Sequence, residues 1–164
     1  LHGCAVVKSA LGDSKGARKL LERAVKLQPE NVPWLYGLSL AVHEDGDLAR
    51  AERLLVKVCR LASDHLRARY NLALAQVALG RVDDGLKSIG EAIRRAPRNL
   101  DFLMARVAIL RDAGRMSDAL VRMREVVGLY PQNRELLGVL REFLLATGDK
   151  RGAAEIERRL FRLP

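Results

Sequence analysis

Five glycines recur at strict intervals: Gly12, Gly46, Gly80, Gly114 and Gly148 share a 34-residue period. No other feature constrains the fold as tightly. A fixed period over a whole chain means that one supersecondary unit is repeated and that neighbouring copies bury each other's apolar faces. The stretch LGDSKGARKLLERAVKLQPE, residues 11–30, shows what that unit is. Ala17, Leu20, Leu21, Ala24 and Leu27 recur at intervals of three and four, the stripe of an amphipathic helix. Pro29 stops the helix, because it has no N–H to donate and its ring clashes with the preceding turn. Asp13 and Ser14 are placed to cap its start, and Asn31 to cap the helix that follows. The glycine falls where the chain reverses between antiparallel helices, a turn that calls for positive φ. Each unit is therefore helix, glycine turn, helix, proline turn.

The same grammar runs on. Pro29, Pro97 and Pro131 sit half a period after their glycines, in QPEN, APRN and YPQN, each with an asparagine two residues later. The second unit carries Ser63 and Asp64 at this point and is expected to cap its turn without proline. Leucine, arginine and alanine dominate, all strong helix formers, while aromatics make up only 4%. The 164 residues suit one domain, with units at 1–31, 32–65, 66–99, 100–133 and 134–164. No apolar run approaches the ~20 residues of a membrane span, so no membrane insertion is expected. The chain opens at Leu1 without a basic-then-apolar leader and reads as a segment of a longer protein.

A net charge of +9 raises the question of nucleic acid. By unit the charge is +3, −1, +4, +1 and +2, with no dominating block. Most cations alternate with acids at helical spacing, as in Glu22–Lys26 and Asp118–Arg122, which is the dress of solvated helix faces. The densest cluster, Arg94, Arg95 and Arg98, closes a unit, where cations favour a helix C-terminus. Nucleic acid is thus not the expected partner. Arginine outnumbers lysine 22 to 7, as GC-rich bacterial coding produces. Cys4 and Cys59 both fall on apolar stripes, without a second ligand at metal spacing, and read as small core residues. Two thiols with no disulfide framework fit a reducing, cytoplasmic compartment.

No catalytic constellation stands out. His2, His43 and His65 are scattered, and no H-E-x-x-H pair is present. HEDGDLAR, residues 43–50, lacks the alternating ligands and distal glutamate of a calcium loop and reads as an interhelical turn capped by Asp47. GDSKGARK fails the phosphate-loop spacing, since Gly16 is followed by Ala17. The expectation is a chain with no enzymatic activity, metal or cofactor.

These residues resemble the tetratricopeptide repeat (TPR) family over essentially the whole chain. Ala17, Ala51, Ala119 and Ala153 match its second-helix alanine, with Gly85 as the small substitute. The bulky position four later is Leu21, Leu55, Ile89 and Met123, and the next apolar position is Ala24, Val58, Ala92 and Val126. The first-helix small residue is Ala5, Ser39 and Ala73, but Val107 and Arg141 replace it in the last two units. The leucine before it survives as Leu38, Leu72 and Leu140, but is Cys4 in the first unit and Arg106 in the fourth. The family's tryptophan is missing, Trp34 being one residue out of register, and Glu157 replaces the last bulky residue. The resemblance implies an all-α fold, an α-solenoid of five 34-residue helix–turn–helix repeats in a right-handed superhelix. First helices would line a concave groove.

On that resemblance the groove residues are Tyr36, Leu40, His43, Arg67, Tyr70, Asn71, Leu74, Met104 and Arg111. Tyr36, Tyr70 and Met104 form one column, Leu40 and Leu74 a second, and His43 and Arg111 stand in another. The tyrosines offer rigid apolar area with a hydroxyl, although they could equally serve only to fill the inner wall. The Lys, Asn and Arg clamp with which some family members hold chaperone C-termini is absent; its first window holds His2, Val6, Gly37, Arg67 and Asn71. The implied function is a protein-interaction scaffold for an acidic or amphipathic peptide or helix. The alternatives are a regulatory or substrate-presenting arm of a larger transferase or hydroxylase, and an RNA-binding helical repeat. Apolar Leu160, Phe161 and Leu163 at one end point to self-association through the ends of the stack.

Overall fold

The computed structural model describes residues 14–163; Asp13, the turn at Gly12, and the sites of His2, Cys4 and Ala5 lie outside them. Among the described residues there are nine helices and no strand. They are α1 (Ser14–Leu27), α2 (Val32–Glu44), α3 (Leu48–Leu61), α4 (Leu66–Ala78), α5 (Val82–Arg95), α6 (Leu100–Asp112), α7 (Met116–Leu129), α8 (Arg134–Ala146) and α9 (Lys150–Arg162). The chain divides into two compact units, Leu1–Ala92 and Ile93–Pro164.

The glycine period has the expected cause. Gly46, Gly80, Gly114 and Gly148 have φ of 83°, 80°, 75° and 81°, the left-handed region in which a side chain is strained. Each turn closes as a Schellman motif, in which the N–H after the glycine reaches back to a helix carbonyl. Asp47 N donates to Val42 O at 3.1 Å, and Asp149 N to Leu144 O at 2.8 Å. Asn31, Asn99 and Asn133 cap α2, α6 and α8, each side chain accepting a backbone N–H at 3.1 Å. Asp47 caps α3 at 3.0 Å.

The turn that closes the second repeat, residues 32–65, departs from expectation. Neither Ser63 nor Asp64 caps α4; His65 does, its Nδ1 accepting the N–H of Ala68 at 3.1 Å. His65 stands one period from both Asn31 and Asn99, so an imidazole nitrogen fills the place of the asparagine oxygen. The surface charge also pairs differently. Glu22 meets Arg18 and Arg50 at 3.7 and 2.9 Å, and Asp118 meets Arg115 at 2.9 Å.

Burial follows the repeat columns. Ala51, Ala119, Ile89, Met123, Ala24, Val58, Ala92 and Val126 are fully enclosed. In the first unit Leu35, Leu55, Val58, Cys59, Ala68, Leu72 and Ala75 form one cluster, and Leu21, Leu38, Val42 and Ala51 another. Burial raises the Cys59 thiol above its ordinary value, as befits an inert core residue. At Gly85 a Cβ would meet Val77 Cγ2 at 2.5 Å and Ala73 O at 2.9 Å, so α5 lies against α4 at a distance that only glycine permits. In the second unit two departures from the repeat answer each other. Arg141, at a normally small position, reaches Glu157, which replaces a bulky one, at 3.6 Å. Arg106 likewise turns to Glu125 at 3.2 Å. Phe161 stands 93% exposed at the end of α9.

Candidate functional site

Helices α2 and α4, the first helices of successive repeats, carry seven of the nine expected groove residues in the first compact unit. Tyr36 and Asn71 are joined directly, the Asn71 Nδ2 donating to the Tyr36 hydroxyl at 3.0 Å. The Tyr36 ring lies 4.5 Å from that of His65, tilted by 47°. Its inner edge packs on the Leu35–Leu55 cluster. Burial pushes the Tyr36 phenol above its ordinary value, against smaller opposing pulls from Arg67 and the Asn71 hydrogen bond. It therefore stays a neutral hydroxyl at physiological pH, able to both donate and accept. Ser39, fully buried one turn on, donates to the Tyr36 carbonyl at 2.6 Å.

Tyr70 is held differently. The Arg67 guanidinium carbon sits 5.4 Å from its ring centroid, a cation–π contact on the open side of α4. Leu40 and Leu74 project beside the aromatic pair with exposures of 38% and 36%, large for leucine. His43 is exposed on the last turn of α2. The arrangement is thus a half-buried aromatic and amide floor, two projecting leucines and one arginine. Met104 and Arg111 lie on α6 in the second unit, Met104 half-buried and Arg111 exposed with its Nε donating to Asp112 at 2.8 Å.

Two supporting residues were not visible as such in the sequence. His65 both caps α4 and backs the Tyr36 ring. Arg69 pins α4 from behind, through Glu91 and through the Ser63 carbonyl at 3.1 Å. The single-period step from Asn31 could have revealed the first; nothing in the spacing of Arg69 signals the second. Among the described residues, no group of three His, Cys, Asp or Glu side chains is placed to hold a metal ion. No helix of the described residues is long and apolar enough to cross a membrane.

A family model described as tetratricopeptide repeat matches residues 5–65 and 70–134. A curated relative, the TPR repeat-containing protein YpiA of Bacillus subtilis (strain 168), is 25% identical over 126 residues. The match takes in 77% of this chain and spans only 30% of that protein's length. Among solved structures, MamA (residues 41 to the end) from Desulfovibrio magneticus RS-1 superposes with a TM-score of 0.80 at 18% identity, covering 98% of this chain and 91% of its own. YrrB, described as a TPR protein with an unusual peptide-binding site, gives 0.73 at 15% identity, covering 95% and 80%. At these identities the structural likeness establishes the fold alone.

Proposed function

The chain belongs to the tetratricopeptide repeat family, and from that premise we propose that it is a non-catalytic protein-interaction module. It takes an extended or helical segment of a partner on the α2–α4 face of its first unit. The observation that carries the proposal is the Tyr36–Asn71 hydrogen bond across two successive first helices. It fixes an aromatic and amide floor beside Leu40, Leu74 and the Arg67–Tyr70 pair. Leucines left this open on a packed scaffold offer apolar contact, and Arg67 favours a segment bearing carboxylates. The peptide-binding description of the similar fold YrrB supports the same class of ligand.

Tyr70 is the sharper probe of the two tyrosines, because Tyr36 also holds the scaffold together through Asn71 and His65. Truncating a central aromatic anchor commonly costs ~2 kcal/mol or more of binding, about 30-fold in affinity. The test is affinity capture of partners by wild type, Tyr70→Ala, and the exposed α5 variant Arg94→Ala/Arg95→Ala, with far-UV circular dichroism confirming equal helicity. Identification by mass spectrometry should show one set of partners lost with Tyr70→Ala and retained by the arginine variant. Retention of every partner by Tyr70→Ala would overturn the proposal.

A further inference from the structure

The first unit has a second surface, on the side of α1 and α3 opposite their buried stripes. Ala17, Leu21 and Ala24 face the core from α1, and Ala51, Leu55 and Val58 from α3. With about 3.6 residues per turn, the positions on the far side of each helix include Lys19, Arg23 and Lys26 on α1, and Arg53, Lys57 and Arg60 on α3. All are exposed except Lys57, which is half-buried. The two sets stand one period apart, position for position, so like charges fall side by side on neighbouring outer helices. A contact between Arg50 Nη1 and Glu22 Oε1 at 2.9 Å ties α3 alongside α1.

The acids of these helices pair with arginines outside the row. Glu22 is engaged by Arg18 and Arg50, and Glu52 by Arg81. Among the described residues, no ion pair reaches any of the six cations. Apolar side chains border the row instead: Leu27 at 71% exposure on α1, with Val56 at 48% and Leu61 at 36% on either flank of the α3 cations. Leu27 and Leu61 again stand one period apart.

Two features select the partner's class. Cations at i, i+4 and i+7 stand about 6 and 10 Å apart along the helix, the spacing of acidic groups on one face of another helix laid beside it. The bordering residues are leucine and valine rather than aromatics, so the face offers no ring on which bases of a single-stranded nucleic acid would stack. We infer that the outer face of α1 and α3 docks an acidic amphipathic helix of a partner protein. Its carboxylates lie along Arg53, Lys57 and Arg60, and the apolar side chains on either side of them lie on Val56 and Leu61. This surface is separate from the α2–α4 face and does not depend on it.

The test uses the full chain and a dye-labelled synthetic peptide of about three heptads, with glutamate at i, i+4 and i+7 and leucine on the flanking positions. Its competitors are a scrambled peptide of the same composition and a single-stranded RNA of similar length, with binding read by fluorescence anisotropy. The patterned peptide should bind at least about tenfold tighter than the scrambled one. Arg53→Glu/Lys57→Glu/Arg60→Glu should weaken it at least about tenfold, and rising salt should weaken it progressively. Val56→Ser/Leu61→Ser, which leaves the charges in place, should weaken it several-fold and keeps the test open if the charge reversal disturbs folding. Equal binding of scrambled and patterned peptides, tighter binding of the RNA, or full binding by both variants would each overturn the inference.

Discussion

Gly85 and Gly90 both lie on α5 and answer to different constraints. At Gly85 a methyl group would sit 2.5 Å from Val77 Cγ2 and 2.9 Å from a backbone oxygen that cannot swing aside. At Gly90 it would meet nothing within 4 Å, and the only effect of alanine is to cut the freedom of the unfolded chain. Gly85→Ala should therefore lose about 1–3 kcal/mol, as overpacking does, while Gly90→Ala should gain about 0.4–1 kcal/mol. Urea unfolding followed by circular dichroism separates the two, and a Gly85→Ala midpoint at or above wild type would show that α4 and α5 can part without loss. That Gly85 replaces the repeat's alanine was plain from the sequence. The reason was not, because it lies in the distance between two helix axes. The Arg141–Glu157 pair is a similar case: each residue shows in the sequence as a departure, and only the contact shows that they are one substitution made twice.

At the scale of elements, helix ends were more legible than helix faces. A turn glycine or a capping asparagine acts on residues within one turn of itself, so spacing along the chain is sufficient to place it. His65 escaped because imidazole is an uncommon cap and because Ser63 and Asp64 nearby are better known in that role. His65→Ala should lose the cap and the Tyr36 ring contact together, at a cost of about 1 kcal/mol or more, read as a lower urea midpoint. His65→Asn, which copies the other three repeats, should hold stability close to wild type. If asparagine proves as damaging as alanine, the ring against Tyr36 matters more than the cap. The candidate face was legible residue by residue but not as an assembly. Tyr36 and Asn71 could be assigned to columns, yet their hydrogen bond depends on the offset between α2 and α4. The outer cation row stayed hidden because a charge count by unit averages it away; only the step from Lys19 to Arg53 and from Lys26 to Arg60 brings it out.

At the scale of the molecule, the two compact units can be followed separately, since the single tryptophan, Trp34, belongs to the first. Leu55 is 1% exposed in the core beneath the candidate face, and Leu55→Ala should cost about 2–5 kcal/mol. The loss should show as an earlier Trp34 fluorescence transition in denaturant; an unshifted transition would mean that the cluster collapses around the gap. The left-handed glycines carry a consequence for how such a gene can change length. Because the turn glycines and the apolar stripes between them return after one period, duplicating or deleting a block of codons equal to that period leaves the downstream protein in phase, wherever the cut falls. A block one codon longer or shorter preserves the reading frame but rotates the following helix by about 100° and turns its apolar stripe out of the stack. Growth and loss in this chain are therefore quantised, and the quantum is set by the backbone rather than by the code.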